Sequence, residues 1–174
     1  MRNTNIFYGE VWSEAHLCRY REMFNYWKGE QSLPGNGNRE LLDISDDYPD
    51  PSLLISQYVN SLSDRVAAQL FKSVSRGYSI DARLSLYNVN QDYNWHHDDD
   101  DHPTHPVNND WRRIISSITY LNDDFKGGET EFEDQLIVPE SGKTVIFPSS
   151  FTFPHRGCPV IEGIKKIIVL HIWV

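Results

Sequence analysis

The residues best suited to chemistry are His96 and Asp98 in YNWHHDDDD, His155 in FPHRGCPV, and Lys165, ten positions after that histidine. A His-x-Asp pair with a distant second His is a two-histidine, one-carboxylate donor set. Such a set occupies three positions of a ferrous ion and leaves one face open for a cosubstrate and O2. A structural metal site would close every position instead. A lysine beyond the second His can hold the far carboxylate of an acidic cosubstrate through charge-assisted hydrogen bonds.

Spacing alone leaves the register open, because His97-x-Asp99 fits the same pattern and His102 and His105 follow closely. The contiguous run Asp99–Asp101 reads as a hydrated loop, since calcium ligands alternate around a Gly-bearing turn. His102 and His105 lie in a Pro- and Asn-rich stretch that favours exposure over ligation. His171 shares a strand face with Lys165 but lies six residues on, roughly 20 Å at strand rise, which assigns it a structural role.

These residues need a scaffold, and the periodicity of the chain changes where one would begin. Between Ser13 and Trp27, Leu17, Tyr20, Met23, Phe24 and Trp27 fall on one helical stripe, with Ser13 as its cap. Lys28 to Pro51 is rich in Gly, Asn, Pro and Asp and predicts a long loop. Ser52 to Ser73 predicts a second amphipathic helix, with Leu54, Tyr58, Leu62, Val66, Leu70 and Phe71 on its apolar side.

After Gly77 the period becomes two. Strands are expected at Ile80–Val89, Arg113–Asn122, Gln135–Val138, Lys143–Phe147 and Lys166–Val174, punctuated by Gly127-Gly128, Glu140-Ser141-Gly142 and Pro148-Ser149-Ser150. Helices first and antiparallel strands second give an α+β class, with helices packed on a curved sheet or sandwich.

In order and spacing, YNVNQDYNWHHD, RRIISSITYLND, KGGETEF, VPESGKTVIFPS and HRGCPVIEGIK resemble the prolyl 4-hydroxylase-like branch of the Fe(II)/2-oxoglutarate-dependent dioxygenases. The resemblance runs from about Ser79 to Val174. It implies a mostly β fold, a double-stranded β-helix (jelly-roll) core with N-terminal helices on the major sheet. The expected organisation is a single domain over 1–174, with 1–78 as helical support and 79–174 as catalytic core. It also selects the register His96/Asp98, because YxVxQxYxxHxD then keeps its distance from Tyr87.

By residue, the resemblance implies Fe(II) on His96, Asp98 and His155, and the C5 carboxylate of 2-oxoglutarate on Lys165. Tyr87 and Tyr120 become candidate neighbours of the cosubstrate, although both also suit barrel packing, and Ser116 shares a strand face with Tyr120. Lys165 is preferred to Lys166 because Lys166 begins the core-like face of Ile168, Leu170 and Ile172. The chain departs from the family pattern at Asn90, where a glycine is common, at Ser116 in place of threonine, and at Arg156 in place of an acidic residue.

The activity implied is hydroxylation of a C–H bond, foremost of a peptidyl proline, with 2-oxoglutarate and O2 as cosubstrates and succinate and CO2 as co-products. A hydroxylase of a free amino acid or other small molecule is the alternative. A non-catalytic, cupin-like metal-binding protein is the alternative of another class, and retention of all three ligands and Lys165 argues against it. Lys28–Pro51 and Asp99–Asp110 are long enough to cover the mouth of the site. The acidic run beside the iron ligands would favour a neutral or basic substrate segment.

At 174 residues and 39% hydrophobic composition the chain can build one core of its own. A net charge of −9 argues against nucleic acid as partner, which calls for a basic surface. Two cysteines, Cys18 and Cys158, are compatible with reduced thiols or one disulfide. No apolar run reaches membrane-spanning length and the first residues lack the apolar core of a signal peptide, so a cytoplasmic protein is expected. Oligomeric state is not legible.

Overall fold

The computed structural model describes residues 5–26, 39–99 and 111–174. In chain order the elements begin with β1 (Phe7–Glu10), α1 (Glu14–Tyr26), β2 (Glu40–Asp43), a 3-10 turn (Ser45–Asp47), α2 (Ser52–Ser61) and α3 (Asp64–Val74). Next come β3 (Ser79–Tyr87), β4 (Tyr93–His96), β5 (Arg113–Tyr120), β6 (Lys126–Gly127) and β7 (Thr130–Phe132). The chain closes with β8 (Leu136–Ile137), β9 (Lys143–Pro148), β10 (His155–Gly157), β11 (Val160–Glu162) and β12 (Lys165–Trp173). A six-stranded sheet in the order β1-β9-β5-β12-β3-β2 packs against a four-stranded sheet, β4-β10-β7-β8, while β11 and β6 form a small ribbon. Every pairing is antiparallel. This is the expected jelly-roll, mostly β with its helices on the major sheet.

Alternation along the central strands sorts side chains into two cores. On the outer face of the major sheet, Ala82, Leu84, Ile115, Ile146, Ile168, Leu170 and Ile172 pack with Leu17, Tyr20, Phe24, Leu54 and Tyr58 of the helical layer. On the inner face, Tyr87, Ile118, Tyr120, Val145, Phe147 and Ile167 meet Phe132 and Ile137 from the minor sheet. The major sheet is therefore buried on both sides.

Three expectations for the first half change. The apolar stretch after Ser52 is two helices, because Leu62 is extended and Ser63 takes the extended N-cap conformation ahead of Asp64. The stripe assigned to one helix consequently splits: Leu54 and Tyr58 are buried, while Phe71 is 63% exposed. The expected loop Lys28–Pro51 holds β2 and the 3-10 turn in its described part, and β1 precedes α1. Two strands of the major sheet thus come from the segment expected to be helical support; edge strands this short give little period to read. Trp27 lies outside the described residues. Cys18 and Cys158 are both free thiols, and no helix among the described residues is long and apolar enough to cross a membrane.

Leu54 has no exposed surface and anchors α2 on the outer face. Leu54→Ala should lower unfolding stability by about 2–5 kcal/mol, the range for truncating a buried leucine. Urea denaturation should show a lower midpoint with an unchanged slope.

Candidate metal centre and cosubstrate pocket

Two imidazoles are brought together by strand pairing in the minor sheet. His155 on β10 lies directly opposite His96 on β4, with ring centroids 4.2 Å apart. Each ring has its Nδ1 next to a main-chain carbonyl, His96 at 2.7 Å from Asn94 O and His155 at 3.2 Å from Phe153 O. Donation from Nδ1–H to those carbonyls leaves Nε2 as the lone-pair nitrogen, the tautomer a metal requires. Asp98, two residues past His96, comes to 3.4 Å from His96 Nε2 and 3.8 Å from His155 Nε2. The donor atoms of these three residues all lie within 4.8 Å of one another. A compact N,N,O set with oriented Nε2 atoms fits a ferrous ion.

Electrostatics hold the set ready. Burial opposes the charge on Asp98, but the imidazoles of His155 and His171 and the hydrogen bonds around it outweigh that and keep its carboxyl well below the ordinary range. Burial pushes His155 down to about 4, against the pull of Asp98, so the ring is neutral near pH 7. Phe132 and Phe147 wall His155, with centroids 5.5 Å and 4.7 Å away. Asp99, by contrast, is exposed, and the group of converging donors contains neither His97 nor Asp99. Asp100, Asp101, His102 and His105 lie outside the described residues, as do residues 28–38 and 100–110 of the two segments expected to cover the mouth.

Lys165 stands at the other end of β12, only 3% exposed and directly opposite Tyr87 of β3. Its Nζ donates to Gly128 O at 2.7 Å and lies 5.2 Å and 5.7 Å from the ring centroids of Tyr87 and Tyr120. It forms no ion pair with the described residues, and burial brings its pKa down to about 8, partly offset by Cys158 and Glu129. The neighbouring backbone needs glycine: at Gly128, with φ +67°, a Cβ would lie 3.0 Å from Lys165 Cδ. Lys166 takes the opposite parity and lies over Phe24 of the helical layer.

The remaining sequence candidates occupy mixed positions. The Tyr120 hydroxyl meets Thr130 Oγ1 at 2.7 Å on the inner face. Ser116 sits at the far end of the sheet from Lys165, opposite His171, and shares a 2.8 Å hydrogen bond with Ser149. Asn90, in place of the family's usual glycine, adopts φ +66°, a left-handed conformation asparagine tolerates better than most residues. Its N–H donates to Val160 O, tying the β3–β4 turn to β11. Arg156 pairs with Glu131 at 2.6 Å, and its guanidinium lies over the exposed Trp95.

The structure brings further residues to the site. His171, read from its distance along the strand as structural, is buried with its Nε2 3.6 Å from Asp98 Oδ1. Asp81 lies behind it, held by Arg83 and Arg113 at 3.0 Å each. The available signal was parity: Asp81, Arg83, Lys165 and His171 are polar residues on the inward face of strands with an apolar outward face. Arg39 is the other addition. It donates to the Tyr87 hydroxyl at 3.2 Å and stacks 3.9 Å over Tyr93, whose ring meets His96 at 4.1 Å.

Known proteins share this architecture. A viral collagen prolyl hydroxylase from Paramecium bursaria Chlorella virus-1, in complex with 2-oxoglutarate, superposes with TM-score 0.65 at 19% identity, covering 98% of this chain and 96% of that one. A Pseudomonas putida prolyl-4-hydroxylase gives TM-score 0.61 at 17% identity, over 98% and 92% of the two chains. A prolyl hydroxylase from Trichoplax adhaerens, in complex with a hypoxia inducible factor oxygen degradation domain peptide fragment, gives 0.65 at 14%, over 98% and 84%. At these identities the likeness establishes a common fold. No curated protein sequence matches the chain. A sequence model of the 2OG-Fe(II) oxygenase superfamily, however, matches residues 82–174, more than half the chain and the stretch that carries His96, Asp98, His155 and Lys165. The chain therefore belongs to the 2OG-Fe(II) oxygenase superfamily and is a 2-oxoglutarate-dependent dioxygenase, with Fe(II), 2-oxoglutarate and O2 as the family's cofactor and cosubstrates.

Proposed function

We propose that this dioxygenase is a prolyl 4-hydroxylase-like enzyme acting on a peptidyl proline. In this reading His96, Asp98 and His155 hold the metal and Lys165 holds the C5 carboxylate of 2-oxoglutarate. The observation that carries the reading is Lys165, a buried cation that has no carboxylate partner among the described residues and lies on the inner face shared with the three converging donors. A buried unpaired charge is costly, and an acidic cosubstrate reaching from the metal would relieve it. The bound metal supplies the family's oxidising chemistry, in which a C–H bond is hydroxylated while 2-oxoglutarate and O2 yield succinate and CO2.

The protein's own contributions are positioning and exclusion of water. His96 and His155 present Nε2 lone pairs because their Nδ1 atoms face carbonyls. Asp98 adds a charge that remains ionised across the physiological range. Tyr87 and Tyr120 flank the ammonium of Lys165, and Phe132, Phe147 and Phe153 keep the inner face apolar. The peptide assignment draws support from the prolyl hydroxylases that share the fold, one of them bound to a peptide. It also draws on Trp95, 46% exposed one residue before His96, an aromatic surface of the kind that stacks on proline rings.

One observation favours a free amino acid instead. Among the described residues Arg39 forms no ion pair and its buried Nε has no hydrogen-bond partner, and it stacks on the tyrosine that contacts His96. A guanidinium so placed is suited to a substrate carboxylate. Screening proline-containing peptides and free amino acids for a +16 Da product separates the two. Products only among peptides, with Arg39→Gln leaving their KM unchanged, support the first reading; products only among free amino acids, with KM raised at least tenfold in Arg39→Gln, replace it.

Each proposed ligand supplies one of three protein bonds, so His96→Ala, Asp98→Ala and His155→Ala should each abolish Fe(II)-dependent succinate release from 2-oxoglutarate. His97→Ala should retain most of it. The reverse pattern for His96 and His97 would shift the ligand register by one residue.

Lys165→Ala should raise the Kd for 2-oxoglutarate tenfold or more, on the order of 1.5–3 kcal/mol for a charge-assisted hydrogen bond. Fe(II) affinity should change little. Because its pKa in the free protein is about 8, wild-type affinity for 2-oxoglutarate should be flat below that pH and fall as pH rises through it. Isothermal titration at a series of pH values checks both statements; a pH-independent Kd in the wild type would remove Lys165 from the carboxylate site.

A further inference from the structure

Neither the three donors nor the cosubstrate pocket accounts for the third imidazole, His171. It sits on the inner face of β12, opposite Asp81 of β3 and Ser116 of β5. Its Nε2 is 3.6 Å from Asp98 Oδ1, and its Nδ1 is 3.8 Å from Asp81 Oδ2. Both ring nitrogens are buried, and neither has a hydrogen-bond partner among the described residues. Packing alone gives no reason for two polar atoms there, since a purely apolar ring would fill the row without the cost of desolvating them.

The surroundings point toward Asp98. Asp81 is already matched by Arg83 Nε and Arg113 Nη2, each at 3.0 Å. Arg113 also reaches forward, donating from Nη1 to the Asp98 main-chain carbonyl at 3.2 Å. One buried polar group therefore addresses Asp98 twice, through its backbone by Arg113 and beside its carboxylate by His171. A carboxylate that binds a metal is held in its working rotation by such an outer partner. A role as fourth ligand fits less well: His171 stands outside the group whose donors converge within 4.8 Å. A fourth protein ligand would also occupy a position that cosubstrate or O2 needs.

We propose that His171 is a positioning residue of the metal centre: its Nε2 faces the Asp98 carboxylate from 3.6 Å and, as the donor aimed at it, restricts that carboxylate's rotation toward His96 and His155, while Asp81, held by Arg83 and Arg113, lies behind the ring. The proposal rests on His96, Asp98 and His155 being the metal ligands. It assigns His171 an effect on metal binding that is present before any substrate arrives.

The test uses the full chain without 2-oxoglutarate and Co(II) as probe, reading both affinity and the visible ligand-field bands. His171→Phe should weaken Co(II) binding about 10–100-fold, the range for losing a ligand's outer partner, and alter the bands. His171→Gln can place an amide N–H where Nε2 stands and should stay within about threefold of wild type on the same grounds. His171→Asn, whose amide reaches only the Nδ1 side, should resemble the Phe variant; this pair decides the matter even if His171→Phe does not fold. Equal affinities for the Gln and Asn variants, or wild-type affinity in every variant, would overturn the proposal. Wild-type Co(II) affinity in Asp98→Ala would instead remove the ligand assignment beneath it.

Discussion

A strand buried on both faces cannot slip by one residue without exchanging its two sets of side chains, and β12 is such a strand. Its Ile168, Leu170 and Ile172 fill the core shared with the helices, and their register is fixed by β3 on one side and β5 on the other. Lys165, Ile167 and His171 are thereby committed to the inner face. The apolar outer set costs far more to misplace than the polar inner set, so the core enforces the positions of Lys165 and His171. Lys165 opposite Tyr87 and His171 opposite Asp81 are consequences of where three isoleucine- and leucine-type side chains must go.

The inner face is electrically divided along the strand. At one end stand Asp81 and Asp98 with the imidazoles of His96, His155 and His171; at the other stands Lys165, with Arg39 beyond Tyr87. The anionic end suits a divalent cation and the cationic end suits a carboxylate. A dicarboxylate bound through one end to a metal is complementary to that polarity. The aromatic lining between them lowers the local dielectric and strengthens both interactions.

The sequence was most legible where period and motif coincided. Strand alternation in β12 separates Lys165 from Lys166, because three branched residues follow Lys166 on alternate positions. The family resemblance led to the jelly-roll, and the superfamily match and the fold agree with it. Legibility failed at short edge strands such as β1 and β2, whose four residues carry too little pattern. It failed differently at α2 and α3, where a continuous apolar stripe concealed a break that Ser63 and Asp64 could have announced as an N-cap. The distance of His171 from Lys165 along the strand gave no sign that its ring would come beside Asp98 at the other end of the inner face. Arg39 carried no signal at all, since its place depends on β2 pairing with β3, a contact across more than forty residues of sequence.

The two sheets do not contribute equally to the centre, and this ties the site to the integrity of the fold. His96 and His155 belong to paired strands of the minor sheet. Asp98 follows β4 but is secured to the major sheet: Arg113 of β5 holds its carbonyl, and the next residue, Asp99, donates its N–H to Ser149 O just past β9. A metal bridging the imidazoles and the carboxylate would therefore join the layers as well as its own ligands. Binding of that kind favours the packed arrangement by mass action, since the unfolded chain offers no preformed site. The same geometry explains why the acidic residue is the one with neighbours behind it. Each histidine has its Nδ1 beside the carbonyl of the residue two positions earlier in the chain, whereas Asp98 meets Arg113 of β5 at its carbonyl and His171 of β12 beside its carboxylate.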